Sequence, residues 1–455
     1  AEYGQTNTHT NMAGQASDKK GEFIAQPSFD YSLNEESRLF DEGSDHGRLE
    51  MEFDASMDIV VFMRDRSGIH ITVEEGQIAV AEELFGIVME EQGLPEEYKD
   101  IFSLWLVSPL LELRLKRNHR PFYIVQQWDE FCSKYTDAKA QDITKDEPVL
   151  MFQRNVFFPK ENEIEIDNEQ VLGLLYHEAK YNVLEGRYIL HSSDYHVLAG
   201  IQALIQLGRY NSTDHVPATY RSVLHQFYPE HMYRKTSKPC LPFWTRAPPE
   251  NCEEQFLESH RQITQEIKQV DIERNPAELY RRYLEVCRPY PFYGAAFFDC
   301  HIYKPQGKLS FLKRKENMEC WTAISTDGVC VIEREKDEVL LAVPYVDLMW
   351  NYIEPQFDID DDAFPCLMLQ FLVVMEEEGG SEVTVTKLLQ VFSRQARHMD
   401  ALIQSNVNRK KLASSSQGGD QVDGPVNLSD FASRVPNKLD KLCLQTFSTT
   451  FSLAI

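Results

Sequence analysis

"PFYGAAFFDCHIY", residues 291–303, sets a glycine and two alanines among five aromatic rings. Two readings compete. Either a cofactor approaches the backbone closely near Gly294, or the stretch is a seam against which another part of the chain packs. A cofactor would need a cradle elsewhere in the chain. The sequence holds no G-x-x-x-x-G-K-[ST] loop, no G-x-G-x-x-G after a strand and no H-E-x-x-H pair. It also lacks a G-x-S-x-G elbow and the kinase signature set. The seam reading is the better supported. The stretch follows "LEVCRP" (284–289), the end of a helical region, and "FYGAAFFDCHIY" (292–303) is the first strand candidate of a β-rich one.

Downstream, "CWTAIST" (320–326), "VCVIERE" (329–335), "VLLAVP" (339–344), "LMWNYI" (348–353) and "LMLQFLVVM" (367–375) are strand candidates. Asp327-Gly328 between the first two signals a tight hairpin. After "GGS" (379–381) the apolar positions Val385, Leu388, Leu389, Phe392, Ala396, Met399 and Ile403 form one stripe, which predicts a helix of about twenty residues. Antiparallel strands closed by one amphipathic helix are the order of a PH/PTB-like β-sandwich.

Upstream of the seam the periodicity is helical. Asp167 with Gln170 forms an N-terminal box ahead of "VLGLLYHEAKYNVLEG" (171–186). "DYHVLAGIQALIQLG" (194–208) ends at a glycine, and Asn275, Pro276 and Glu278 start a third helix. Further upstream, "MDIVVFMRDRSGIHITVEE" (57–75) reads as a hairpin turning at "DRSG". A helix follows, with Ile78, Ala81, Leu84, Phe85 and Val88 on one face and Gly93 as its stop. The order ββαββ, short helix, β over residues 57–160 is that of a ubiquitin-like roll. The chain is thus expected to be a multi-domain α+β protein. Its parts are a disordered acidic arm (1–56), a ubiquitin-like lobe (57–160), an all-α lobe (161–289), a sandwich lobe (290–407) and a disordered polar tail (408–455). The arm carries twelve Asp/Glu against four Lys/Arg and no sustained periodicity.

The formal net charge of −26 argues against general nucleic-acid binding, which needs a basic surface. No run approaches the ~18 consecutive apolar residues of a membrane helix. The first twenty residues lack the pattern of a secretory leader. Nine cysteines, scattered singly, suit reduced thiols in the cytosol. Cys240 and Cys252, near His225 and His231, match no common zinc spacing, and no metal or other cofactor is expected. "DIDDDAF" (358–364) lacks the glycine and the final glutamate of a calcium loop.

Four stretches together, "FSLWLVSPLLELRLKRNHRP" (102–121), "MFQRNVFFP" (151–159), "LLYHEAKYNVLEGRY" (174–188) and "FYGAAFF" (292–298), resemble the FERM-domain family over roughly residues 57–405. Krev-interaction-trapped proteins are a more distant match within it. The resemblance implies a three-lobed FERM module: ubiquitin-like roll, helical bundle, PH/PTB-like sandwich with a C-terminal helix. It implies a non-enzymatic cytosolic adaptor, recruited to the plasma membrane as a peripheral protein. Its clients would be cytoplasmic tails of membrane proteins. By resemblance these include rhomboid-like pseudoproteases that support shedding metalloproteases, and a Wnt co-receptor. A small-GTPase effector of the Rap type and a membrane–cytoskeleton linker are the alternatives.

Two surfaces are candidates for binding. In a PTB-type sandwich an extended peptide adds beside the fifth strand, facing the C-terminal helix. Here the strand side is Asp347, Leu348, Met349, Trp350, Asn351 and Tyr352, and the helix side Lys387, Val391, Arg394 and Gln395. The alternative is a groove covered by the chain's own tail or by solvent. Basic clusters on an acidic chain point to phosphoinositide headgroups. Lys304, Lys308, Lys313, Arg314 and Lys315 follow the sandwich's first strand; Arg114, Lys116, Arg117 and Arg120 sit in the first lobe. Solvated loops are the plainer reading of both, and the first-lobe cluster would equally suit an acidic GTPase.

Overall fold

The computed structural model describes residues 8–9, 56–233, 252–267, 276–303, 317–355, 364–376, 382–416 and 436–444. They form two compact units: residues 1–152 with 397–418, and residues 153–396 with 419–455.

The first unit is the ubiquitin-like roll. Its sheet has the order β1-β3-β2-β6-β4-β5, from β1 (Thr8–His9), β2 (Ser56–Phe62), β3 (Gly68–Glu74), β4 (Phe102–Val107), β5 (Glu112–Arg114) and β6 (Val149–Arg154). β2 and β3 make the expected hairpin, with Arg66 in a left-handed conformation (φ 72°) where the chain reverses. β2 runs parallel to β6 through Val61–Leu150 and Phe62–Met151. Helix α1 (Ala81–Glu91) buries Ala81, Leu84, Val88 and Met89 on the sheet side of the roll, while Ile78 lies ahead of it, 38% exposed. The Glu83 carboxylate accepts the Val80 N–H at 3.0 Å, and Gly93 (φ 62°) terminates the helix as the sequence predicts. α2 (Pro121–Gln126), α3 (Trp128–Tyr135) and α4 (Ala140–Ile143) fill the long connection. Trp128 is buried there and donates to Asp146 at 2.8 Å.

The second unit joins the helical region to the sandwich. Its helices are α5 (Glu169–Leu184), α6 (Ser192–Leu207), α7 (Pro217–Val223), α8 (Glu230–Tyr233), α9 (Cys252–Glu266) and α10 (Ala277–Cys287). α5 is capped by Asn168, whose side chain accepts from the N–H groups of Gln170 and Val171, one residue later than the sequence box placed it. Asp167 instead receives Arg281 at 2.9 Å. Gly200 in α6 lets α9 approach: a Cβ there would lie 2.5 Å from Ser259 Oγ. His260, fully buried, sits between the Tyr220 hydroxyl and the Gly208 carbonyl, 2.8 Å from each.

The sandwich is a seven-stranded antiparallel sheet in the order β10-β9-β8-β7-β13-β12-β11. The strands are β7 (Ala296–Tyr303), β8 (Asn317–Ile324), β9 (Gly328–Glu333), β10 (Glu338–Pro344), β11 (Leu348–Ile353), β12 (Cys366–Glu376) and β13 (Glu382–Phe392). The two halves meet at one pairing, Phe392 with His301.

Three expectations need correction. Residues 382–392 form a strand, paired with β12 along its whole length, and the helix α11 begins only at Ala396 and continues to Ser416. Leu388, Leu389, Phe392 and Ala396 share helical spacing by coincidence, and the β-branched run Val383–Thr386 was the stronger signal. The tail assigned to 408–455 is helical at its start and again in α12 (Pro436–Leu442). Residues 291–295 form a turn rather than strand, with Gly294 at φ 67°. The acidic arm, apart from β1, lies outside the described residues.

Of the nine cysteines, eight lie among the described residues; none of these eight is in a disulfide, and seven are buried. Burial pushes Cys132 and Cys300 up to about 12 and Cys366 up to about 11.

Candidate functional site

At Gly294 the turn receives a guanidinium, not a ligand. A Cβ on Gly294 would lie 2.3 Å from Arg154 Nη1. That nitrogen donates to the Gly294 carbonyl at 3.3 Å, and the Gly294 N–H donates to the Tyr188 hydroxyl at 3.0 Å. Arg154 also reaches Glu163 at 2.6 Å and the Phe158 carbonyl at 2.7 Å. Tyr293 (2.6 Å) and Arg288 (3.3 Å) donate to the other oxygen of Glu163. Glu163 is 1% exposed, so two cations and a phenol surround one carboxylate away from water. Burial opposes the charge on Arg154, yet Glu163 outweighs it and the guanidinium stays firmly protonated. Burial and Glu163 raise the Tyr293 phenol well above its ordinary value. Tyr188 packs on Phe292, with ring centroids 5.4 Å apart. Lys160 pairs with Asp327 at the β8–β9 hairpin, 2.9 Å apart and both buried. Here the helical region and the sandwich are locked together.

The open feature is β11. It ends the seven-stranded sheet, and among the described residues no strand pairs with its outer edge. It pairs with β12 from Leu348–Phe371 to Ile353–Cys366. Leu348 is buried, Trp350 and Tyr352 half-buried, and Met349, Asn351 and Ile353 exposed, so one row faces the interior and the other water. Met349 is 60% exposed, and Val346, in the single turn Tyr345–Asp347 that leads into the strand, 89%. Exposed apolar side chains on the terminal strand of a sheet can form a template for another strand.

The sequence-chosen partners of this strand are not across a groove from it. Lys387 and Val391 lie on β13, two strands away: Val391 pairs with Leu367, which pairs with Tyr352, and Lys387 pairs with Phe371, which pairs with Leu348. Val391 is fully buried core. Arg394 stacks over the Phe364 ring at 4.8 Å, and Gln395, buried, donates its N–H to Ser393 Oγ at 3.1 Å. That serine also donates to the Asp299 carbonyl at 2.6 Å, and it was the missed sign of where the helix starts.

The basic residues divide. Lys304, Lys308, Lys313, Arg314 and Lys315 lie outside the described residues. In the first unit Arg114 is pushed down to about 10, by burial and then by Arg409 and Arg117. Arg409 comes from α11, and sequence spacing could not have placed it there. Arg117 faces Glu82 at 3.3 Å and Asp100 at 3.7 Å, which offsets part of the charge. Cys252 donates to the Met232 carbonyl at 2.9 Å, and Cys240 lies outside the described residues. Among the described residues there is no group of three or more metal-ligating side chains, and no helix is long and apolar enough to cross a membrane.

Known proteins resemble this geometry and sequence. Residues 161–298 match the FERM central domain, and residues 318–402 match the C-lobe of the FERM domain described for KRIT1/FRMD8. FERM domain-containing protein 8 of Xenopus laevis is 35% identical over 85% of this chain and 83% of its own length. The Homo sapiens protein is 36% identical over 81% of this chain and 77% of its own. Among solved structures, the human myosin 7b C-terminal MyTH4-FERM domain, in complex with the harmonin-a PDZ3 domain, superposes with a TM-score of 0.50 at 15% identity. That match covers 78% of this chain and 60% of the myosin chain.

Proposed function

The chain belongs to the FERM-domain family, with FERM domain-containing protein 8, and from that premise we propose that it is a non-enzymatic adaptor that holds the cytoplasmic tail of a membrane protein along the outer edge of β11. The observation that carries this reading is the edge itself: β11 is the terminal strand of the sheet among the described residues, with Met349 and Val346 exposed beside it. A tail in extended form would add as an eighth strand. Main-chain hydrogen bonds would give affinity, and the row Met349, Asn351 and Ile353 would select side chains. Rhomboid-like pseudoproteases are the client class, with a Wnt co-receptor tail the second. The basic residues Lys116 and Arg117 would favour the anionic inner leaflet by about 1 kcal/mol for each one near it, bringing the adaptor to its clients at the plasma membrane; Arg114, held down by burial, would add little.

The test is capture of a rhomboid-like pseudoprotease's cytoplasmic tail by the purified full chain, with activated Rap as a parallel arm. Met349→Asp and Trp350→Ala should weaken tail capture at least tenfold. Undiminished capture by both variants, or capture of Rap alone, would sink the edge reading.

A further inference from the structure

A second site on the sandwich is already filled, and its occupant is the chain itself. α12 and the residues after it lie on the strands of the C-terminal lobe. Lys438 donates to the carboxylates of both Glu333, at the end of β9, and Glu338, at the start of β10. Glu333 is 1% exposed, and Lys336 reaches it from the other side at 3.1 Å. Leu439, the next residue, is buried at 4% exposure. Beyond the helix the chain extends, and the Leu444 N–H donates to the Leu388 carbonyl at 2.9 Å as an antiparallel bridge. Leu388 lies on β13, which among the described residues pairs with β7 at Phe392–His301. The tail takes up main-chain capacity where the halves of the sandwich have parted.

Three different chemistries therefore converge on nine residues: a paired ammonium, a buried leucine and a strand bridge. Burial alone would raise the Glu333 carboxyl. The hydrogen bonds from Lys438 and Lys336 outweigh it and hold the carboxyl below its ordinary value. Removing Lys438 would take from Glu333 and Glu338 the cation they share, leaving the buried Glu333 with Lys336 alone. A surface helix without a role seldom brings a cation to a buried acid, since desolvation opposes it.

We propose that residues 436–444 are an intramolecular ligand, and that Glu333, Glu338, the Leu439 hollow and the Leu388 carbonyl form a peptide site separate from the β11 edge. The site takes a lysine, a leucine next to it and an extended residue five positions further on. Its occupant is the chain's own tail, so its binding is intramolecular and gains the advantage of covalent linkage over a free peptide. A contact of modest intrinsic strength is enough to keep the site closed. A partner segment with the same lysine–leucine pattern enters only when the tail leaves.

The experiment uses the full chain, a full-length Lys438→Glu/Leu439→Asp variant and a labelled peptide of residues 434–446 with Cys443→Ser. The variant should bind the peptide at least tenfold more tightly than the unaltered chain, whose own tail competes. A peptide carrying Lys438→Glu should not bind. Hydrogen exchange at the Leu444 amide should be slow in the unaltered chain and fast in the variant. Glu338→Gln, a conservative change on the receiving side, should release the tail in the same assay. Equal peptide binding by chain and variant would overturn the proposal. So would equally fast exchange at Leu444 in both, because the tail would then not be docked.

Discussion

Gly294 and Met349 belong to the same compact unit, and both sit beside aromatic side chains, but they face opposite physical situations. At Gly294 the Arg154 guanidinium meets one carboxylate and three carbonyls, and both Arg154 and Glu163 are buried. At Met349 the strand is the last of the sheet among the described residues, paired there with β12, and apolar groups stand in solvent. The contrast teaches where to look for binding. Crowded small residues and rings signalled packing, because only a residue without a side chain leaves room for the guanidinium. The binding candidate is marked by what is left incomplete, a main-chain edge and exposed methionine and valine side chains.

The sharpest way to break this comparison is to open the seam. Glu163→Gln leaves Arg154 and Arg288 without their shared anion and should cost about 3–5 kcal/mol, read as a lowered denaturation midpoint. A loss under 1 kcal/mol would mean that the cluster is no lock. Acid should loosen the same unit next. Burial above all pushes His260 down to about 4; the Gly208 carbonyl opposes this and His215 adds to it. The neutral ring's contribution is complete above about 6.5 and is lost as pH falls through about 4, on the order of 3 kcal/mol at ~1.4 kcal/mol per pH unit. His260→Gln should flatten that acid limb, and an unchanged profile would assign the loss to other groups. Gly294→Ala should cost about 1–2 kcal/mol from the left-handed backbone, and more as Arg154 is displaced; an unchanged melting curve would contradict the close approach. Met349→Asp should move stability by less than about 0.5 kcal/mol while removing peptide capture. A large loss of stability would show that the edge is structural after all.

Much of this architecture was legible because local signals and tertiary needs agreed. The stop at Gly93 uses a residue suited to the left-handed backbone, and Gly328 after Asp327 leaves room for the Val343 carbonyl, 2.2 Å from where a Cβ would lie; Arg66 takes its left-handed turn without that freedom. β11 was found from "LMWNYI", and it is an edge. Its supposed partners were misplaced because Leu388, Leu389 and Phe392 satisfy a helical period while their neighbours Val383–Thr386 favour a strand; the hydrogen bonds to β12 decided between them. The α5 cap slipped from Asp167 to Asn168 for a similar reason: both side chains can cap, and Arg281 claims the first. The tail contact was beyond sequence reading. Nothing in "PNKLDKLCL" says that acids 100 and 105 residues earlier will receive its lysine.

The buried cysteines turn the molecule into its own stopwatch. A thiol reacts as its thiolate, so Cys300 and Cys366, raised to about 12 and about 11, stay silent towards alkylating reagents until their strands separate. Cys443 is the half-exposed one of the eight, and it lies in the docked tail. In one time course under a thiol reagent, early labelling at Cys443 would record release of the tail. Late labelling along β7, β8, β9 and β12 would record the opening of the whole lobe.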